Sequence, residues 1–68
     1  MQSDQEKQIS KVILKAEETF GDRDKAHRWL SRPTSALGGV APVDLFDSDT
    51  GLQQVASLLE RIIHGIAA

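Results

Sequence analysis

Between Phe20 and Gly39 the chain is punctuated so closely that no long helix or strand can cross it. The run reads FGDRDKAHRWLSRPTSALGG. Gly21 follows Phe20 as a C-cap, a position where φ > 0 costs glycine little. Asp22 then offers a side-chain oxygen to cap a second helix over residues 23 to 31. Pro33 ends that helix, because proline lacks the N–H and disfavours helical backbone in the residue before it. Thr34 or Ser35 is placed to cap a single turn through Leu37, and Gly38-Gly39 permits a sharp change of direction.

Two longer amphipathic stretches flank this segment. Residues 4 to 20 carry Ile9, Val12, Ile13, Ala16 and Phe20 at three- and four-residue spacing, the stripe of one helical face. Ser3 or Asp4 caps its start. Lys7, Lys11 and Lys15 form a basic row at i, i+4, i+8, read as a solvated face whose lysine stems cover apolar neighbours. Downstream, Pro42 stands where a first helical residue would, opening a short helix to Phe46 with Val43, Leu45 and Phe46 turned inward. Asp47, Ser48 and Asp49 make a turn and the next cap. The last helix spans Thr50 to His64, with Leu52, Val55, Leu59, Ile62 and Ile66 alternating three and four as a helix–helix seam does. Leu58 and Ile63 widen that seam, and Gly65 is the expected C-cap.

No period-2 pattern occurs, so the expected fold is all-α. We expect a compact bundle of about five helices in a single domain of residues 1–68. The N- and C-terminal helices are long and packed on each other. The short middle helices form a layer around Trp29, Leu37, Leu45 and Phe46. A chain of 68 residues buries only about 60% of its unfolded surface. With no cysteine, it has neither disulfide nor thiolate metal site to compensate. One Trp and two Phe are its aromatics, so the core rests on Ile, Leu, Val and Ala. Marginal size favours a partner or self-association.

The chemistry of most enzyme classes cannot be assembled from these residues. There is no dinucleotide or phosphate loop, since no lysine follows Gly38-Gly39. The serines lie in caps and turns, and His27 and His64 fall on separate helices, so no nucleophile–base pair is expected. Each histidine reads as exposed or capping rather than as a metal ligand, and no cofactor is expected. Arg28 and Arg32 flank Trp29; an anion grip is one reading. The favoured one has Trp29 filling the core and the arginines pairing with Asp22, Asp24 or Asp44. The net charge of −2 and pI of about 5.5 are poorly matched to duplex binding, which draws on phosphate neutralisation. No apolar run approaches the ~20 residues of a membrane span, and MQSDQEKQIS is unlike a signal peptide. The expected compartment is the cytoplasm.

The order of the pieces carries further information. F-G-D is followed by W-L, then P, A-L-G-G, P-V-D-L, D-T-G and L-L-E-R-I-I-H-G-I. In that order and spacing, from about Ala16 to Ala68, the chain resembles the toxin-binding domain of the Xre/MbcA/ParS antitoxins. Residues 1–15, the N-terminal part of the first helix, lie outside the match. The resemblance implies an antitoxin of a bacterial type II toxin–antitoxin pair. Its partner would be a RES-type toxin that consumes NAD or transfers ADP-ribose, blocked near its active-site entrance by the antitoxin's C-terminal part. Carried over by position, Arg61, Ile62, His64, Gly65 and Ile66 are the expected toxin contacts. Trp29, Leu30, Pro33, Leu37, Gly38 and Gly39 match the middle motif, read as scaffold. Ala41 stands before Pro42 where the family often has Thr, which removes a capping hydroxyl. The residues ahead of the match are too few for the family's helix-turn-helix region, which argues against operator binding by this stretch. The competing readings are a small helical DNA-binding module and a homodimerisation module. A homodimer through the first or last helix stripe is expected alongside the antitoxin reading.

Overall fold

The computed structural model describes residues 4–65. Among these residues three α-helices form: α1 (Asp4–Phe20), α2 (Arg23–Ser31) and α3 (Asp49–Gly65). Between α2 and α3 lie two single 3₁₀ turns, Ser35–Leu37 and Pro42–Leu45. The expectation of about five helices is therefore corrected to three. The two middle segments have three and four residues, too few to propagate i→i−4 bonding, and they close i→i+3 bonds instead. In the first turn the Leu37 N–H donates to the Thr34 carbonyl at 3.1 Å, and in the second Asp44 N–H donates to Ala41 at 2.9 Å.

α1 and α3 lie side by side and run in the same direction. Asp4, Gln8 and Val12 share a cleft with Asp49, Leu52 and Ala56, and eleven residues beyond Asp4 and Asp49 the Lys15 ammonium meets the Glu60 carboxylate. The expected packing of the first and last helices is thus observed. Everything between them is the return path, and α2 packs on α1 while the second 3₁₀ turn bridges α2 and α3.

The core is small and aliphatic. Val12 and Ala16 of α1, Ala26 and Leu30 of α2, Phe46, and Leu52, Val55 and Leu59 of α3 make one buried cluster. Ile9, Ile13, Phe20, Leu37 and Leu45 pack around it half-buried. Leu59 and Val55 are fully enclosed, each contributing roughly 1.5–3 kcal/mol of transfer free energy. Val43 is not turned inward: it is 47% exposed, because a tight 3₁₀ turn spreads its few side chains over three faces and only Pro42, Leu45 and Phe46 meet the bundle. Trp29 lies half-buried at the rim, its ring 5.5 Å from Phe20 and tilted by 45°.

Local chemistry explains the joints. The Asp22 carboxylate accepts from the Lys25 N–H at 3.3 Å and starts α2. The Ser48 hydroxyl accepts from the Gly51 N–H at 3.0 Å and starts α3 one residue before the expected Thr50. Thr34 pairs with Val40, its N–H donating to the Val40 carbonyl at 3.1 Å. That closes the loop through Gly38 and Gly39, both at positive φ (78° and 91°), which a side chain would strain. Ala41 has no capping side chain but is buried, so its methyl serves the core. Gly65 is not a left-handed cap; it is the last residue of α3. Ser3 and Ile66, expected as a cap and a contact, lie outside the described residues.

Gly51 has a role that its sequence motif did not reveal. It is buried on the first turn of α3, and a Cβ there would overlap the Leu45 carbonyl oxygen and fall 2.9 Å from the Leu45 carbonyl carbon and Cβ. The second 3₁₀ turn can lie against α3 only because this side chain is missing. The Gln5 amide adds a clasp from α1, donating to the Phe46 carbonyl at 3.1 Å.

Candidate functional site

The C-terminal turns of α3 carry four of the five expected contact residues. Arg61, His64 and Gly65 are exposed, and Ile62 is half-buried. The helical period separates them onto three sides. Ile62 follows Val55 and Leu59 on the helix's inner side by period but is only half-buried. His64 stands one turn after Glu60, its Nε2 3.1 Å from Glu60 Oε2. Arg61 lies on another side, in line with Gln54, Ser57 and Leu58.

That line forms one wall of an open groove of about 620 Å³. Leu37 and Ala36 of the first 3₁₀ turn make the facing wall. Thr50, Gln53 and Gln54 close one end, and Arg61 stands at the other, beyond Ser57 and Leu58. Arg61 is the one ionisable side chain among the described lining residues. It makes no ion pair among the described residues.

Glu60 explains part of this. One of its oxygens meets Lys15 and the other His64, so the carboxylate next to Arg61 in sequence is occupied elsewhere. The hydrogen bond and charge of Lys15, with a smaller contribution from His64, hold the Glu60 carboxyl below its ordinary range. The basic row of α1 thus divides: Lys15 is half-buried and paired, while Lys7 and Lys11 are exposed. Arg28 and Arg32 make none of the expected pairs among the described residues; Asp22 is turned to its capping role instead. Arg23 approaches Glu17 at 3.7 Å.

The middle-motif residues are spread along the return path. Leu30 is buried, Trp29 and Leu37 are half-buried, and Pro33, Gly38 and Gly39 are exposed where the chain turns. Of these, Leu37 reaches the groove. The groove itself was missed in the sequence because its two walls are separated by a turn whose direction depends on Gly38 and Gly39. Among the described residues no group of three His, Cys, Asp or Glu could hold a metal. No described helix is long and apolar enough to cross a membrane.

Comparison with known proteins converges on one family. Residues 15–65 match the antitoxin Xre/MbcA/ParS C-terminal toxin-binding domain. An "Antitoxin Xre" of Photorhabdus laumondii is 44% identical over 48 residues, covering 71% of this chain and 32% of that protein. An "Antitoxin Xre" of Pseudomonas putida is 35% identical over 54 residues, covering 79% and 34%. A third, from Yersinia enterocolitica, is 39% identical over 46 residues, covering 68% and 31%. The chain spans about a third of the length of these curated relatives. No solved structure matches.

Proposed function

Because this chain belongs to the family of antitoxin Xre/MbcA/ParS C-terminal toxin-binding domains, we propose that it neutralises the toxin of a bacterial type II toxin–antitoxin pair. The toxin is a RES-type enzyme of the cytoplasm that consumes NAD or transfers its ADP-ribose, and inhibition is steric. The terminal turns of α3, with Arg61, Ile62, His64 and Gly65, cover the entrance to the toxin's active site, and Ile66 continues the same contact. Trp29, Leu30, Pro33, Leu37, Gly38 and Gly39 hold the scaffold that presents them.

One observation carries the mechanism. Arg61 is exposed and without an ion pair among the described residues, on the final turns of a helix whose inner face is sealed. An always-charged planar fork with no ion pair among the described residues suits an acidic group on another molecule. Homodimerisation accompanies this reading through Leu14 and Ile63. These large apolar side chains stay 57% and 46% exposed on α1 and α3, whereas the inner stripes of those helices are buried in the core they share with α2 and Phe46.

Co-expression with the protein encoded by the adjacent reading frame tests the proposal. The expected result is a stable complex, with growth and cellular NAD restored relative to the adjacent protein alone. Unrelieved growth arrest with no recovered complex would overturn it.

A further inference from the structure

We propose that the groove between the first 3₁₀ turn and α3 receives a segment of the toxin that carries an acidic side chain beside an apolar one. This rests on the reading of the chain as a toxin-binding domain and adds the chemistry of the segment it grips. The argument is one of complementarity. Leu37 and Leu58 offer half-buried apolar surface on opposite walls. Gln53 and Gln54 bring side-chain amides, which donate and accept hydrogen bonds to an extended backbone. Arg61 contributes the only charge among the described lining residues, and it is positive.

The same geometry discriminates between kinds of occupant. A nucleic-acid backbone needs several cations in line to gain affinity, and this groove presents one within a chain of net charge −2. A purely apolar helix would leave the Arg61 guanidinium and the amides of Gln53 and Gln54 beside carbon. A carboxylate two or three residues from a Leu- or Ile-sized side chain satisfies Arg61 at one end and the Leu37 and Leu58 surfaces along the walls. Glu60 does not compete for Arg61, since Lys15 and His64 hold both of its oxygens.

The test uses charge variants at Gln54, which is exposed, lines the groove and lies two helical turns from Arg61. Affinity of the full chain for the adjacent-frame protein is measured for wild type, Gln54→Glu and Gln54→Lys, at low and high salt. An acidic occupant predicts weakening by Gln54→Glu and tightening by Gln54→Lys, each roughly tenfold at low salt and smaller at high salt. Ala36→Trp, which fills the groove from the other wall, should weaken binding while circular dichroism and melting stay as in wild type. If wild type forms the complex and all three variants bind equally well, the groove assignment is overturned and the toxin-binding reading stands. If wild type forms no complex, both fall together. Salt-steep duplex binding abolished by Arg61→Ala would overturn the assignment in favour of a phosphate ligand.

Discussion

Leu45 and Gly51 meet backbone to backbone, with the Leu45 carbonyl oxygen occupying the space where any side chain at position 51 would begin. Gly51→Ala should therefore force the second 3₁₀ turn away from α3. The expected loss is about 1–3 kcal/mol, the range for overpacking a tight site, and it is aggravated by an obstacle that is backbone. Gly65→Ala is the matched control: it is helical, nothing among the described residues lies within 4 Å of the added atom, and alanine has the better helix propensity. Urea denaturation of the two variants should move in opposite directions or leave Gly65→Ala unchanged.

The Ser48 hydroxyl is the only capping side chain at the start of α3 among the described residues. Ser48→Ala should cost about 1 kcal/mol, and Asp22→Ala a similar amount at α2. The two caps belong to different helices, so the double variant should approach the sum of the singles. A much smaller effect of Ser48→Ala in thermal melts would show that the first turn of α3 is held by Gly51 packing alone.

Leu59→Ala removes a fully enclosed side chain at the centre of the cluster. The expected cost is about 2–5 kcal/mol, comparable to the whole stability of a chain this short. Loss of the cooperative melt is the predicted outcome; a well-folded Leu59→Ala would contradict the packing described.

Acid should loosen the α1–α3 contact. Lys15 first, then His64, lowers the Glu60 carboxyl, so the folded pKa lies below the unfolded one. That contribution is complete above the unfolded carboxylate pKa and disappears as the pH falls through the folded value. Glu60→Gln should flatten this part of the acid limb in a melting series from pH 7 to pH 3. An NMR titration of Glu60 with an ordinary midpoint would refute the coupling.

At the proposed contact surface, Arg61→Ala and truncation after His64 are each expected to weaken inhibition of the proposed toxin while leaving the melting temperature within a few degrees of wild type. If both leave inhibition and affinity unchanged, the end of α3 is not the blocking element.

The long helices were legible because their apolar periods are clean: Val12 and Ala16, and Leu52, Val55 and Leu59, all fall on the buried side. Asp22 and Gly21 marked their joint in the sequence as plainly as in three dimensions. The middle was harder. A proline followed by a few apolar residues reads alike for a short α-helix and for a 3₁₀ turn, and Val43 looked inward only under the first reading. Arg28 and Arg32 had acidic residues nearby in sequence, but Asp22 is committed to a cap. The motif at the end of α3 singled out Arg61, Ile62, His64 and Gly65 as candidates, yet the groove beside Arg61 was not visible in the sequence, since half of it comes from Ala36 and Leu37 on the far side of a glycine turn. Gly51 carried no periodic signal at all; its necessity exists only once Leu45 is seen against it.

The shared direction of α1 and α3 sorts the molecule into two poles. Each helix has 17 residues, about 25 Å at 1.5 Å per residue. Asp4 and Asp49 therefore stand at one pole, while Arg61 and His64 stand at the other. The acidic starts of both helices thus share one pole, and the Lys15–Glu60–His64 pairing ties the two helices together toward the other.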